Sequence, residues 1–387
     1  MKFANRIQRL GTETAFEVMA KARAVEAAGK EVVYLQIGEP DFPTPKHIVE
    51  AGVAALRRGE THYCAAAGIL PLRQAIVEEV AKRRGVRPRV EEVVVTPGAK
   101  PIMYFVITAC IEQGDEVIYP NPGFPIYESV INFVGGTPVP LPLLEEKDFR
   151  FDPDEFRSLV SDRTKLIIIN TPANPTGGVL TRADIEVVAE VARERGILVL
   201  TDEVYKNIIY EGEHVSLYAL PGMREQTVLL DGFSKTYAMT GWRLGWGVMP
   251  EDLARKVEKL MINSNSCTAT FSQHAAIEAL TGPTDEVDAM VAKFRERRDF
   301  IVAGLNKIPG MSCITPKGAF YAFPNVKEIP MSAQELEHYL LHEAGVAVLC
   351  GTAFGKFGAG YLRFSYANSI ENIQRGLDRI QEALQKL

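Results

Sequence analysis

Lys165-Leu166-Ile167-Ile168-Ile169-Asn170 is a short, almost purely apolar run, and Thr171-Pro172-Ala173-Asn174-Pro175-Thr176-Gly177 follows it at once. A run this short, β-branched and closed by proline and glycine reads as a strand buried on both faces. Thr181 to Arg195 then reads as a helix closed by Gly196, and Ile197 to Thr201 as the next apolar strand. The alternation continues outward. Glu92 to Thr96 predicts a strand, Pro101 to Glu112 a helix and Val117 to Tyr119 a strand. Thr227 to Leu230 predicts another, and Leu244 to Met249 a glycine-containing one. Apolar strands alternating with helices predict an α/β fold with a mainly parallel sheet covered on both faces.

From about Glu286 the pattern changes. A charged helix from Val287 to Ile308 leads into Gly318 to Phe323, then a helix at Ser332 to Ala344 and a last one from Ile370. This predicts a smaller α+β domain. A helix at Phe16 to Ala28, ended by Gly29, and a strand at Val32 to Ile37 are expected to join it. The expected division is an N-terminal arm (1–14), a large domain (46–285) and a small domain made of 15–45 with 286–387.

The chain has 387 residues, 47% hydrophobic and 24% charged, enough for two domains and a large core. Its formal net charge of −6 implies no basic face, so nucleic acid is not an expected partner. Cys64, Cys110, Cys267, Cys313 and Cys350 are scattered and never spaced C-x-x-C, which argues for a reducing compartment and against structural zinc. Met1 to Thr14 lacks the apolar core of a signal peptide, and no run of about 18 apolar residues exists. The expected location is the cytoplasm, with no membrane partner and no metal.

In open α/β sheets, ligands bind beyond the carboxyl ends of the strands. Here four apolar runs are followed by Thr96-Pro97-Gly98-Ala99-Lys100, by Asn170 to Gly177, by Asp202-Glu203-Val204-Tyr205 and by Asp231-Gly232-Phe233-Ser234-Lys235. Singly, Asn174 reads as a turn residue, Asp202 as a helix cap and Lys235 as a solvated lysine. Jointly they put an amide, a carboxylate, a phenol, a hydroxyl and a lysine at one edge. Gly98-Ala99-Lys100 opens a helix, whose free N–H groups and dipole suit a phosphate. Other patterns lead elsewhere. Gly351 to Gly360 matches no nucleotide loop and reads as a loop. His338 and His342 lack the glutamate of a zinc protease and read as surface residues. Gly232-Phe233-Ser234-Lys235-Thr236 lacks the second glycine of a nucleophile elbow.

Ser234-Lys235-Thr236-Tyr237-Ala238-Met239-Thr240-Gly241-Trp242-Arg243-Leu244-Gly245 resembles the lysine motif of the class I and II aminotransferases, which are fold-type I pyridoxal-phosphate enzymes. Asn174-Pro175-Thr176-Gly177 resembles that family's N-P-x-G segment, and Asp202-Glu203-Val204-Tyr205 its D-E-x-Y segment. Tyr361 to Ala367 resembles its substrate-arginine strand. Gly38-Glu39-Pro40-Asp41-Phe42 and Tyr63…Gly68…Leu72-Arg73 match its N-terminal part. Order and spacing agree over essentially the whole chain, closest to the aspartate aminotransferase-like subgroup.

The resemblance implies a large domain with a seven-stranded, mainly parallel sheet between helices, plus the smaller α+β domain. It implies that Lys235 carries pyridoxal 5′-phosphate as a Schiff base and shuttles the substrate proton. Asp202 would pair with the ring nitrogen, Asn174 and Tyr205 would bond the phenolic oxygen, and Phe124 would stack on the ring. Ser234, Arg243 and the Gly98-Ala99-Lys100 backbone would hold the phosphate, reached also by Tyr63 from the second subunit of a homodimer. Arg363 would clamp the substrate carboxylate bidentately, helped by the Gly38 backbone and Asn174. One departure is Gly232, where many relatives carry a second phosphate-binding hydroxyl.

The activity implied is ping-pong transamination of a small L-amino acid with a 2-oxo acid such as 2-oxoglutarate, through a pyridoxamine phosphate form. Lys100 favours aspartate or glutamate, because a lysine in that loop contacts the distal carboxylate in one resembling subgroup. Alanine, aromatic amino acids or kynurenine are alternative substrates, and a lyase or decarboxylase on the same fold is an alternative activity. A transcription regulator with an aminotransferase-like domain is disfavoured, since the motifs begin by Gly38 and the charge is negative.

Overall fold

The computed structural model describes residues 1–387. Twelve strands run β1 (Val33–Tyr34), β2 (Val93–Thr96), β3 (Glu116–Asn121), β4 (Thr137–Pro142), β5 (Thr164–Asn170), β6 (Leu198–Asp202), β7 (Thr227–Gly232), β8 (Gly245–Val248), β9 (Tyr321–Ala322), β10 (Val346–Ala347), β11 (Leu349–Cys350) and β12 (Leu362–Ser365). Seven of them form one sheet in the order β2-β8-β7-β6-β5-β3-β4. The pairs β3–β4, β3–β5, β5–β6 and β6–β7 are parallel. β8 runs antiparallel to both of its neighbours.

Alternate residues of these strands feed opposite faces. Ile168, Leu200 and Leu230 pack against Ile102, Val106 and Val257, carried by the helices Lys100–Cys110 and Glu251–Ile262. Ile167, Ile169 and Val199 pack against Ile185 and Val188 of the helix Arg182–Arg195. That helix starts where expected. The Thr181 hydroxyl accepts the Asp184 N–H and the Asp184 carboxylate accepts the Thr181 N–H, a reciprocal cap. It ends at Gly196, in the left-handed region at φ 65°.

Two features of the sheet were not foreseen. β4 reads Thr-Pro-Val-Pro-Leu-Pro, and prolines at alternate positions hide a strand from any propensity argument. It is tolerated because β4 lies at the sheet edge, where a row of N–H groups is not needed. The reversed direction of β8 was equally invisible. Periodicity reports that a strand exists and says nothing of its direction.

The remaining strands form two small assemblies. β1 pairs parallel with β10, and β12 lies between β11 and β9, antiparallel to both. The expected strand at Val32 to Ile37 is ladder-paired only at Val33–Tyr34. Beyond it Leu35 still bonds Ala347 and Ser365 through its backbone, which carries the chain extended to Gly38. Gly351 to Gly360, read as a loop, contains two short 3-10 turns. His338 and His342 are exposed, as expected, with rings 4.1 Å apart. No helix is long and apolar enough to cross a membrane.

Candidate active site

The carboxyl ends of β5, β6 and β7 open into a cavity of about 580 Å³, closed on its other side by Gly38, Tyr321, Phe354 and Arg363. Asn174, Asp202, Tyr205, Ser234, Lys235 and Arg243 all line it, as do Ala99, Lys100 and Phe124. A more open depression of about 640 Å³ shares Glu39, Thr240, Gly241 and Arg243 with this cavity and extends along Asn265 to Ser272. It contains neither the lysine nor the buried carboxylate.

Lys235 follows β7 and is partly buried. Its Nζ donates to the Gly38 carbonyl oxygen at 2.6 Å. Burial first, and then the charges of Arg363 and Arg243, push its ammonium down to about 8, against an opposing pull from Glu39. An amine so placed loses its proton far more readily than a solvated lysine.

Asp202, the last residue of β6, is buried. Its carboxylate accepts a 2.6 Å bond from Tyr127 Oη and a 3.3 Å bond from the Val204 N–H. Burial outweighs those bonds and raises the carboxyl to about 6. No cation is paired with it, so this acid is suited to a positively charged group in the cavity.

Tyr205 and Tyr321 share a 2.7 Å bond between hydroxyls, and burial raises both phenols, Tyr205 well above the usual range. Asn170, at the end of β5, accepts the Asn174 N–H at 2.9 Å and donates to the Asp202 carbonyl at 3.0 Å. This locks the N-P-x-G turn to the neighbouring strand end. Phe124 packs edge-on against Tyr127, with centroids 5.6 Å apart.

Arg363 of β12 is buried. It donates to Asn174 Oδ1 at 3.0 Å and to the Gln36 carbonyl. Its guanidinium carbon lies 4.5 Å from the Tyr321 ring centre and 4.8 Å from that of Phe354. Its Nε is buried and has no acceptor. A planar, clamped guanidinium with an orphan donor is built for a carboxylate.

Arg243 has φ 55°, and its Nη1 donates to the Thr240 carbonyl at 2.8 Å. Gly98, at φ 93°, lets the guanidinium approach, since a Cβ there would overlap Arg243 Nη2. Gly98 is therefore placed against Arg243 and not on the cavity wall. Gly232 sits beneath Ala99, and a Cβ on it would meet three atoms at 3.3 to 3.4 Å. A hydroxyl-bearing residue there would have to press on its neighbours.

Tyr63 stands apart. It is 90% exposed and does not line the cavity. Glu13, Tyr127, Asn170, Tyr321 and Phe354 belong to the cavity or its support and had no expected role. Asn170 was the accessible one, as the polar residue ending an apolar strand. The others carry no local signal.

A partly buried lysine and a buried carboxylate without a cation at the strand ends of an α/β sheet, faced across the cavity by a clamped arginine, suit group transfer on a carboxylate-bearing molecule. Comparison with known proteins narrows this. The family model for aminotransferase class I and II matches residues 30–380. An aspartate aminotransferase of Pyrococcus abyssi is 40% identical over 94% of both chains. An aromatic-amino-acid aminotransferase of Thermococcus litoralis is 37% identical over 100% of this chain and 99% of its own. The structure of a Thermus thermophilus aspartate aminotransferase with maleate superposes with a TM-score of 0.95, at 35% identity, covering 99% of this chain and 100% of that one. The chain belongs to the class I and II aminotransferases.

Proposed function

We propose that this aminotransferase moves the amino group of a small L-amino acid to a 2-oxo acid such as 2-oxoglutarate in two half-reactions, with pyridoxal 5′-phosphate at the strand ends. The observation that carries the reading is the convergence of Lys235, Asp202 and Arg363 on one cavity. The residues fit the cofactor. Asp202 offers a carboxylate to the ring nitrogen, Asn174 and Tyr205 offer donors to the phenolic oxygen, and Phe124 offers an aromatic face. Ser234, Arg243 and the N–H groups of Ala99 and Lys100 suit the phosphate, with Gly98 allowing Arg243 in.

When bound, the cofactor supplies an electron sink for negative charge developing at the substrate α-carbon. The protein supplies the rest. Lys235 Nζ, with its proton affinity lowered by burial, would take the proton from the substrate α-carbon and deliver it on the cofactor side. Arg363 would bind the α-carboxylate bidentately through N–H groups left free, Nε among them, while Asn174 and the flanking rings hold the guanidinium in place. Asp202 holds a positive charge on the ring nitrogen.

Aspartate and glutamate are the favoured substrates in this reading, with Lys100 reaching the distal carboxylate. Relatives named for aspartate support this preference, and the one named for aromatic amino acids supports the wider alternative range. The exposure of Tyr63 supports its use by a second copy across a homodimer interface. Sedimentation tests this, and a fully active monomer would contradict it. We further propose a cytoplasmic location, and a division into a large unit (46–285) and a small unit (15–45 with 286–387) that meet at this cavity.

A half-reaction screen tests the function. The holoenzyme is mixed with single amino acids and the cofactor absorbance is followed. Rapid bleaching with aspartate or glutamate is expected, and no bleaching with any amino acid would overturn the proposal.

A further inference from the structure

The Glu13 carboxylate forms an ion pair with the Lys100 ammonium, 87 positions away in sequence. Both line the cavity that holds Lys235 and Arg363. Glu13 occupies the N-cap position of the helix Thr14–Ala27, yet its side chain caps nothing. Its oxygens are turned to the lysine instead. The arm that carries it is strapped down. The Gly11 N–H donates to Ser129 Oγ at 2.8 Å, and Arg9 donates to the Phe133 carbonyl at 3.1 Å. Glu13 is therefore delivered to the cavity by a docked segment, and it is the acid that Lys100 meets.

Resting on the reading of Lys100 above, we propose that Glu13 sets substrate specificity by competing with the substrate's distal carboxylate for Lys100. A dicarboxylic substrate would then bind only by displacing the arm's own carboxylate, which remains nearby as a like charge. Displacement is feasible, because the Lys100 side chain is 44% exposed and an ion pair this open is weak. An uncharged side chain has no such competitor. It leaves the pair closed and packs on apolar lining that the cofactor does not use, such as Phe16 and Ile37. Glu13 thus lowers the preference for acidic substrates and widens the range toward neutral ones.

The test uses holoenzyme of the wild type, Glu13→Gln, Lys100→Ala and the double variant. Two quantities are read: calorimetric affinity for succinate, a dicarboxylate with no amino group, and kcat/KM for aspartate and for alanine. Removing a like charge beside a partly exposed lysine should tighten succinate and raise aspartate kcat/KM by about fivefold in Glu13→Gln, the upper worth of an exposed pair. Alanine should stay within about twofold, which separates this effect from any general influence of the Glu13 charge on Lys235. In the Lys100→Ala background, Glu13→Gln should give a smaller gain, because only the repulsion between the two carboxylates is left to relieve. Equal changes for aspartate and alanine, or weaker succinate binding in Glu13→Gln, would overturn the proposal. If Lys100→Ala weakens succinate and Glu13→Gln changes nothing, the competition falls and the reading of Lys100 stands. If Lys100→Ala leaves succinate affinity unchanged, both fall.

Discussion

Lys235 Nζ donates a 2.6 Å hydrogen bond to the carbonyl oxygen of Gly38, 197 positions earlier in the chain. The bond joins the loop after β7 to the segment after β1. It places the reactive amine where a small residue is obligatory, because a Cβ on Gly38 would overlap Tyr321 Oη and lie 3.0 Å from Cζ. Lysine, glycine and the tyrosine pair form one continuous wall.

Gly38→Ala should therefore disturb this wall. Overpacking at such a site costs about 1–3 kcal/mol. A lowered melting temperature and a fall in kcat/KM are expected. Adding Tyr321→Phe removes the overlapped oxygen and should restore part of both. A double variant no better than Gly38→Ala alone would place the strain elsewhere.

Lys235→Ala should fold normally, fail to hold the cofactor through borohydride reduction and lose at least about 10²–10⁴-fold in turnover, the usual worth of a positioned proton-transfer group. The low lysine value has its own signature. The amine is nucleophilic when neutral, and Lys235 becomes neutral above about 8. Covalent capture of the cofactor aldehyde by apoprotein should accelerate as pH rises through about 8, well below the range of a solvated lysine. Rate against pH by stopped-flow absorbance checks it.

Asp202 predicts a second pH effect, of opposite use. Its carboxyl is raised to about 6, chiefly by burial. Above that pH it is ionised and can hold a cationic ring nitrogen. Below it the acid is neutral and that attraction is lost. Cofactor affinity should fall by about tenfold per pH unit below 6 while the ring's own state is unchanged. Asp202→Asn should remove this step and weaken binding by about 1.5–3 kcal/mol at pH 8, the usual worth of a bond to a charged group. Fluorescence titration of apoprotein across pH distinguishes the two outcomes.

Behind the site, Arg84 donates to Glu203 at 2.6 Å and to Asp231 at 3.2 Å, all three buried. Glu203 follows Asp202, and Asp231 ends the approach to Lys235. Arg84→Met would leave two carboxylates without their shared cation. The loss of one partner from a buried ion group costs about 3–5 kcal/mol. The lower end is expected, because Lys206 pairs with Asp231 and His214 Nε2 lies 2.9 Å from Glu203. Urea unfolding monitored by circular dichroism measures it. An unchanged midpoint would show that the remaining partners, Lys206 and His214, suffice.

Much of this site is legible along the chain. Apolar runs of strand length mark β5, β6 and β7, and the polar residues at or just beyond their carboxyl ends, Asn174, Asp202 and Lys235, stand out against those runs. β4 is illegible because alternate prolines erase its propensity, and only its edge position makes them harmless.

What the amino-acid order determined alone is the succession of elements and the chemical types delivered to each strand end, since both follow from local periodicity and turn formation. What only the tertiary structure decided is who faces whom. Tyr127 bonds Asp202 from 75 positions away, Tyr321 bonds Tyr205 from 116, and Glu13 pairs with Lys100 from 87. None of these contacts has a local signature. Each exists because helices on two faces of one sheet, a docked arm and the small strands bring distant backbone together. Packing, not spacing, turns a set of suitable residues into a cavity with a lysine held low, a carboxylate held high and an arginine whose Nε is left without a partner.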